Sequence, residues 1–228
     1  SPNMSQLHDW AVKQWEQTKG GTVGVYSGAL GFGYNAKLLA AKKLPEPKCW
    51  ADLVKPEYKD EVQVADPNSS GTAYTLLATI VQLMGEEKGF DYLKALHKNV
   101  NQYTKSGAAP AKATSLGETV IGIVFMHDMI AEGALNPDVK TVAPCEGTGY
   151  EIGSMSIIKG ARNMDSAKKF YDWALTPEPQ KLGAQNKQLQ TPSNKNTPPP
   201  AIGVDLSKTK LINYDFEKYG ASATRNAL

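Results

Sequence analysis

The chain has 228 residues, a formal net charge of +2, 41% hydrophobic and 21% charged residues. This is ordinary globular composition, long enough for one large domain or two lobes, and it excludes the strong basic field of a nucleic-acid or anionic-membrane binder. No apolar run approaches a membrane span, and three histidines (His8, His97, His127) without a Cys-x-x-Cys pair argue against a multi-histidine or zinc centre.

Ser1-Pro2-Asn3 lacks an initiator Met and reads as a processed or truncated start. Residues 6–19 read as a helix, with Leu7, Trp10, Ala11 and Trp15 near helical spacing, stopped by Gly20-Gly21. Residues 23–34 are β-branched, aromatic and glycine-rich. Glycines at 24, 28, 31 and 33 would weaken a buried strand, so a bend or a close backbone approach is expected there. A helix over 35–43 ends before Pro45 and Pro47, and Lys48–Leu53 reads as a short helical turn.

The chain then gives its most informative stretch. A short strand, Val62–Ala65, stops at Asp66-Pro67. Ser69-Ser70-Gly71-Thr72 makes a turn, and a long apolar helix runs from about Ala73 to Met84. The first N–H groups of a helix have no partner within it, and the helix dipole favours negative charge there. Ser70, Gly71 and Thr72 could therefore hold a phosphate or carboxylate. The plainer reading is helix capping, for which Ser and Thr are common.

A second helix is expected over 90–99 and an extended piece over 102–104. Ser106-Gly107 then leads into a helix that ends near Gly117. Val120–Met126 is a continuous apolar run, the pattern of a strand buried on both faces. His127-Asp128 follows it, with a helix from Met129 to Gly133. Strands are expected at 140–143 and 155–158, with a turn-rich link over 144–151 between them. An amphipathic helix at 166–175 shows Ala167, Phe170, Tyr171 and Ala174 on one face. The Pro198–Pro200 stretch reads as irregular, and the tail from Leu211 as a turn or short strand and a last helix. Trp10, Trp15, Trp50 and Trp173 read as packing residues. Strands alternating with helices argue an α/β fold with largely parallel sheets. Ligands of such sheets sit beyond the carboxyl ends of strands, where Ser70–Thr72, Ser106 and His127-Asp128 all fall.

The order of these pieces resembles the type II, two-lobed solute-binding proteins of ABC importers. The matching signals are Gly31-Phe32-Gly33-Tyr34-Asn35, Pro47–Leu53, Asp66–Tyr74, Gly117–Gly122 and Gly153–Ala161 before Ser166–Phe170. The resemblance implies two α/β lobes joined by hinge strands and closing on ligand. Residues 1–28 would be a remnant of the first lobe with the first hinge strand. Residues 29–150 would form the second lobe, and residues 151–228 the return strand and C-terminal helices packing on the first lobe. Family members carry on the order of a hundred further residues before the first crossing, the size of most of a lobe. The first lobe is therefore expected to be incomplete in this chain.

Within that group the ferric-ion and hexose-phosphate binders look nearest. Ferric binders place adjacent tyrosines where this chain has Phe125-Met126-His127-Asp128, and Phe and Met are poor ligands for a hard cation. His127, Asp128 and Glu151 instead resemble the pattern of the sugar-phosphate binders, with carboxylates accepting from sugar hydroxyls. Ser70, Gly71 and Thr72 would take the phosphate, and Ser106 is a further candidate ligand contact whose plainer reading is a cap of the helix at Ala108. The resemblance thus implies a hexose-phosphate ligand and an inner-membrane ABC permease as partner. It implies a periplasmic or lipid-anchored location with the signal segment outside this chain. No cofactor, metal, nucleic acid or membrane insertion is expected. A ferric-ion, phosphonate or other small-anion binder is the first alternative, and a small-molecule enzyme using His127 and Asp128 the second. Adjacent His and Asp do not make a triad by adjacency, and no G-x-S-x-G elbow, P-loop or HExxH is present. Cys49 and Cys145 read either as a disulfide or as two unrelated thiols, and the resemblance favours the disulfide.

Overall fold

A computed structural model describes residues 1–204, 206 and 208–228. In chain order the elements are α1 (Asp9–Gln17), β1 (Val23–Asn35), α2 (Ala36–Ala41), β2 (Val62–Ala65), α3 (Gly71–Met84), α4 (Glu86–His97), β3 (Val100–Thr104), α5 (Ala109–Leu116), β4 (Ile121–Phe125) and α6 (Met126–Gly133). They continue with β5 (Val139–Val142), β6 (Tyr150–Met155), α7 (Met164–Ala174), α8 (Pro177–Gln185), β7 (Thr191–Pro192), α9 (Phe216–Gly220) and α10 (Ser222–Ala227). A short helical turn covers Trp50–Val54. The chain divides into two compact units. Unit 1 is Ser1–Gly28 with Glu151–Val204, and unit 2 is Ala29–Tyr150 with Asp205–Leu228.

Unit 2 is built on a five-strand sheet in the order β3-β2-β4-β1-β5. Strands β3 and β4 both run parallel to β2, and every residue of β4 is buried, as its unbroken apolar run requires. The expected largely parallel sheet is a mixed one, because β1 inserts between β4 and β5 and runs antiparallel to both. Alternation of strands and helices along the chain carries no information about such an insertion. The core gathers Leu30, Phe32, Trp50, Leu53, Ile80, Ile121 and Ile123 beneath α3 and α4.

Gly31 and Gly33 of β1 face the same side, two residues apart, and Gly33 lies opposite Gly122 of β4. This bare patch sets how closely the helices approach. A Cβ on Gly31 would stand 2.5 Å from Met126 Cγ, one on Gly33 2.3 Å from Met129 Cγ, and one on Gly122 2.6 Å from Thr114 Oγ1. Helices α6 and α5 therefore lie directly on the sheet, and α6 is pinned at Met126 and Met129. The expected close backbone approach is found here.

The tail differs from expectation. Residues 151–228 do not group together, since the C-terminal stretch belongs to unit 2. Tyr214 and Tyr219 are buried with Ala78 and Val81 of α3, and the Tyr74 hydroxyl donates to the Tyr219 carbonyl at 2.8 Å. Aromatic burial against α3 is a stronger anchor than chain order suggests.

Unit 1 contains α1, the first half of β1, β6, α7, α8 and β7. Tyr26 and Ser27 of β1 pair with Pro192 and Thr191 of β7, and β6 also pairs with β1. The strand expected at 155–158 lies earlier, at Tyr150–Met155. Its fully buried apolar set is small: Leu7, Ala11, Val23 and Leu175. Trp10 and Trp15 pack against that set, but Trp173, expected as a packing residue, is 47% exposed.

Candidate functional site

Because β2, β3 and β4 are mutually parallel neighbours, their carboxyl ends lie along one edge of the sheet. The segments leaving that edge carry Ser70–Thr72, Ser106-Gly107 and His127-Asp128 respectively. This is the edge where α/β sheets place ligands.

The loop after β2 is organised by Asp66. Its Oδ1 accepts from the Asn68 backbone N–H at 2.8 Å, its carbonyl accepts from Ser70 N–H at 2.9 Å, and its own N–H continues the pairing to Thr104 at 2.8 Å. Ser69 Oγ donates to the Lys105 carbonyl at 3.1 Å, so the loops after β2 and β3 are tied together. Ser70 is the N-cap of α3, but its Oγ accepts from Ala73 N–H only at 3.5 Å. That is a long bond for a cap and leaves the hydroxyl able to serve elsewhere. Among the described hydrogen bonds none uses the N–H of Gly71 or Thr72, or the Thr72 hydroxyl.

Gly107 closes the arrangement. A Cβ there would lie 2.2 Å from Thr72 Oγ1 and 2.9 Å from Ser70 Oγ. The turn after β3 therefore presses its bare backbone against both hydroxyls. Capping does not account for Ser106, because the N-cap position of α5 is Ala108. The structure thus brings Ser70, Gly71, Thr72 and the Ser106-Gly107 turn together as a group of hydroxyls and unpaired N–H groups. Gly107 was not among the expected site residues, although a glycine just beyond a strand is a signal of close approach.

His127 and Asp128 lie in the first turn of α6, which begins at Met126 rather than at the expected Met129. The continuous apolar run hid the switch from strand to helix at Phe125. The His127 ring stacks on Phe125 with centroids 5.6 Å apart and planes within 6°. It is 5% exposed, its Nδ1 is buried without a hydrogen-bond partner, and Nε2 stands 3.7 Å from Asp128 Oδ1. Burial pushes the His127 pKa down to about 4, so the ring is neutral at pH 7. Burial pushes the Asp128 carboxyl up to about 6.

Glu151 belongs to unit 1, where its carbonyl accepts from Ser27 Oγ at 2.9 Å. Arg225 was missed as well. Its guanidinium lies 5.0 Å from the Tyr74 ring centroid, and Nη2 points to the Pro67 carbonyl at 3.5 Å. A cation thus stands beside the loop that leads to Ser70, and only the long-range packing of the tail puts it there.

Cys49, Cys145 and Glu146 form the one cluster of three metal-type side chains within reach of one another among the described residues. The two sulfurs are bonded to each other. Glu146 accepts from Trp50 N–H and Ala51 N–H at 2.8 Å each. That cluster is therefore structural, and the disulfide favoured by the resemblance is present.

Residues 1–217 match the profile of a family described as bacterial extracellular solute-binding protein. An uncharacterized protein of Haemophilus influenzae is 53% identical over 233 residues, a match covering 100% of this chain and 67% of that one. The periplasmic binding protein AfuA of Actinobacillus pleuropneumoniae, solved with exogenous fructose-6-phosphate bound, superposes with a TM-score of 0.92 at 46% identity. The periplasmic binding protein P5PA superposes with a TM-score of 0.93 at 38% identity. Each of these two likenesses covers 100% of this chain and 72% of the solved one. The chain spans about half the length, 47%, of the phosphoglycerate transport regulatory protein PgtC of Salmonella typhimurium, to which it is 25% identical. The profile match over nearly the whole length, the 53% identity and the shared architecture establish that this chain belongs to the bacterial extracellular solute-binding protein family.

Proposed function

We propose that this chain is the ligand-binding part of an ABC importer's periplasmic binding protein, and that its ligand is a hexose phosphate. The observation that carries the reading is the convergence of Ser70 and Thr72 hydroxyls on the Gly107 turn, at a helix start with unpaired N–H groups. Such a seat fits a phosphate. Ser106 stands on the same turn and adds a hydroxyl donor. His127 and Asp128 take the hydroxyl-rich part of the ligand. The buried, partnerless Nδ1 of a neutral imidazole is costly to leave unpaired, and a sugar hydroxyl would satisfy it. The fructose-6-phosphate in AfuA supports this ligand class, as does the phosphoglycerate transport role in the name of PgtC. Iron is disfavoured by Phe125 and Met126, both buried and without oxygen donors, where ferric binders need phenolates.

Calorimetry with fructose 6-phosphate, fructose, a phosphonate and Fe(III) tests the reading. Binding of the sugar phosphate is expected, and uptake of only Fe(III) or a phosphonate would refute it. Thr72→Val should weaken the phosphate ester by roughly 10- to 100-fold, the worth of a hydrogen bond to a charged group, and leave free fructose little changed. Equal losses for both ligands would remove the phosphate from this helix start. We also infer binding without turnover: fructose 6-phosphate incubated with the protein should keep its NMR spectrum, with no free phosphate and no isomer.

A pH dependence follows from Asp128. Its pKa in the fold is raised from 3.8 to about 6, so its contribution to stability is present below pH 3.8 and lost as pH rises through 6. His127 works the other way. Its pKa is lowered from 6.5 to about 4, so its contribution is present above pH 6.5 and lost as pH falls through 4. The two oppose each other between about pH 4 and 6.5, and the melting temperature should move little there. Affinity should not be flat. Sugar hydroxyls donate to the ionised carboxylate, so affinity should fall below pH 6 by up to roughly tenfold per pH unit. Asp128→Asn should flatten that part of the profile and keep only the slope from the phosphate ester's own ionisation. A wild-type profile identical to that of Asp128→Asn between pH 5 and 7.5 would exclude Asp128 from the hydroxyl contact.

A further inference from the structure

Arg225 of α10 belongs to the same compact unit as Ser70, Thr72 and Gly107, and its side chain is exposed. Two contacts place its guanidinium. It lies 5.0 Å from the Tyr74 ring centroid, and Nη2 approaches the Pro67 carbonyl at 3.5 Å, the long limit of a hydrogen bond. Among the described residues no carboxylate holds it in an ion pair. Asp66, the carboxylate of the neighbouring loop, is turned onto Asn68, accepting from its backbone N–H at 2.8 Å and from Nδ2 at 3.0 Å. A guanidinium keeps its charge at any working pH and carries several N–H donors in a rigid fork. Here that charge is not neutralised by a described partner, and most of the fork is unspent.

The two contacts hold the charge at the start of α3. Pro67 lies in the loop that runs into Ser70. Tyr74 lies three residues after Gly71 and four after Ser70, so the three share one helix face. Helical side chains lean toward the amino end, which sets the Tyr74 ring over that first turn. The ring is buried, and its hydroxyl is fixed by donation to the Tyr219 carbonyl at 2.8 Å. Beside it the face is open, since a Cβ on Gly71 would meet nothing within 4 Å.

We infer that Arg225 is a specificity residue for the charge of the ligand. Its field draws a phosphate group to the start of α3 and favours the phosphorylated sugar over the neutral one. The inference rests on the phosphate seat proposed above, whose own side chains, Ser70, Thr72 and Ser106, are uncharged. A cation standing at the positive end of the α3 dipole adds to that end's attraction for an anion. Over a separation of one or two helical turns such a field is felt at low ionic strength and screened at high.

Titration of the full chain with fructose 6-phosphate, fructose and inorganic phosphate tests this. The readouts are heat and the amide resonances of Gly71 and Thr72, at about 0.02 M and about 0.5 M salt. Arg225→Gln should weaken both phosphates by roughly 3- to 10-fold at the lower salt and by less than about twofold at the higher. Fructose should bind as before, and Arg225→Lys should restore most of the loss. Lys37→Gln removes the same charge from α2, at the opposite end of the sheet, and should leave binding unchanged. A merely structural role would weaken every ligand alike, at either salt and without rescue by lysine, and that result overturns the inference. Arg225→Gln binding both phosphates as wild type also overturns it and leaves the hexose-phosphate reading intact. Conversely, fructose 6-phosphate failing to bind, while inorganic phosphate moves the two amides and is weakened by Arg225→Gln, refutes the hexose phosphate and upholds Arg225. Amides that neither phosphate moves refute both.

Discussion

Replacing Gly107 by alanine is expected to abolish phosphate-ester binding while leaving the chain folded. The added Cβ would stand 2.2 Å from Thr72 Oγ1, 2.8 Å from Thr72 Cβ and 2.9 Å from Ser70 Oγ. A hydroxyl can rotate away from such a contact, but Thr72 Cβ is fixed by α3, so the turn itself must move. Both hydroxyls are then displaced from the seat. Losing two hydrogen bonds to a charged group corresponds to an affinity loss on the order of 100-fold or more. The cost in stability should be the smaller one of local overpacking, about 1–3 kcal/mol. Gly71→Ala separates the two effects. A Cβ at Gly71 meets nothing within 4 Å, so the melting temperature should not change. That open space is where a phosphate on the helix start would sit, so affinity should still drop. Calorimetry with fructose 6-phosphate and thermal melts on both variants decide the matter. Gly107→Ala binding as wild type would remove this turn from the site.

These two glycines also show what a sequence can and cannot disclose. Strand β2, the Ser-Gly-Thr helix start and the buried run of β4 were legible because each is a local pattern: a short run halted at Asp66-Pro67, capping chemistry and an unbroken apolar stretch. The neighbourhood of Ser70, Thr72 and Gly107 was not. It depends on β2 and β3 being adjacent and parallel, a pairing made across 36 residues between Ser69 and Lys105. The order β4-β1-β5 was hidden for the same reason, since register between distant strands leaves no trace in either strand alone. The start of α6 was misplaced because Phe125 and Met126 are apolar on both sides of the change from strand to helix. Helix α8 was not anticipated: Pro177 opens it and Pro179 stands in its first turn, where proline is tolerated. The approach of Arg225 to Tyr74 is the extreme case. Nothing near either residue announces it, and only the burial of Tyr214 and Tyr219 on α3 brings the tail across.

The largest expected effect on stability belongs to the Cys49–Cys145 disulfide. It joins residues 96 apart in sequence, both within unit 2. Closing a loop of that size removes chain entropy from the unfolded state, and removing such a bond typically costs about 2–5 kcal/mol. The native geometry around it does not depend on the bond alone. Cys145 N–H donates to the Lys48 carbonyl at 3.1 Å, and Trp50 Nε1 donates to the Gly147 carbonyl at 3.1 Å. Glu146 holds the first N–H groups of the Trp50–Val54 turn, and the Tyr92 hydroxyl donates to the Trp50 carbonyl at 2.6 Å. Replacing both cysteines by serine should therefore keep this corner folded and act mainly through the unfolded chain. For a unit of this size the melting temperature should fall on the order of 10 °C. The wild-type protein melted in reductant should fall by the same amount, while reductant leaves the double variant unmoved. A double variant that melts as wild type would mean that the hydrogen-bonded corner alone keeps the loop closed. Ligand affinity at 25 °C should survive the double substitution, because the Ser70–Gly107 seat rests on the β2–β3 pairing and not on the link that carries Cys145.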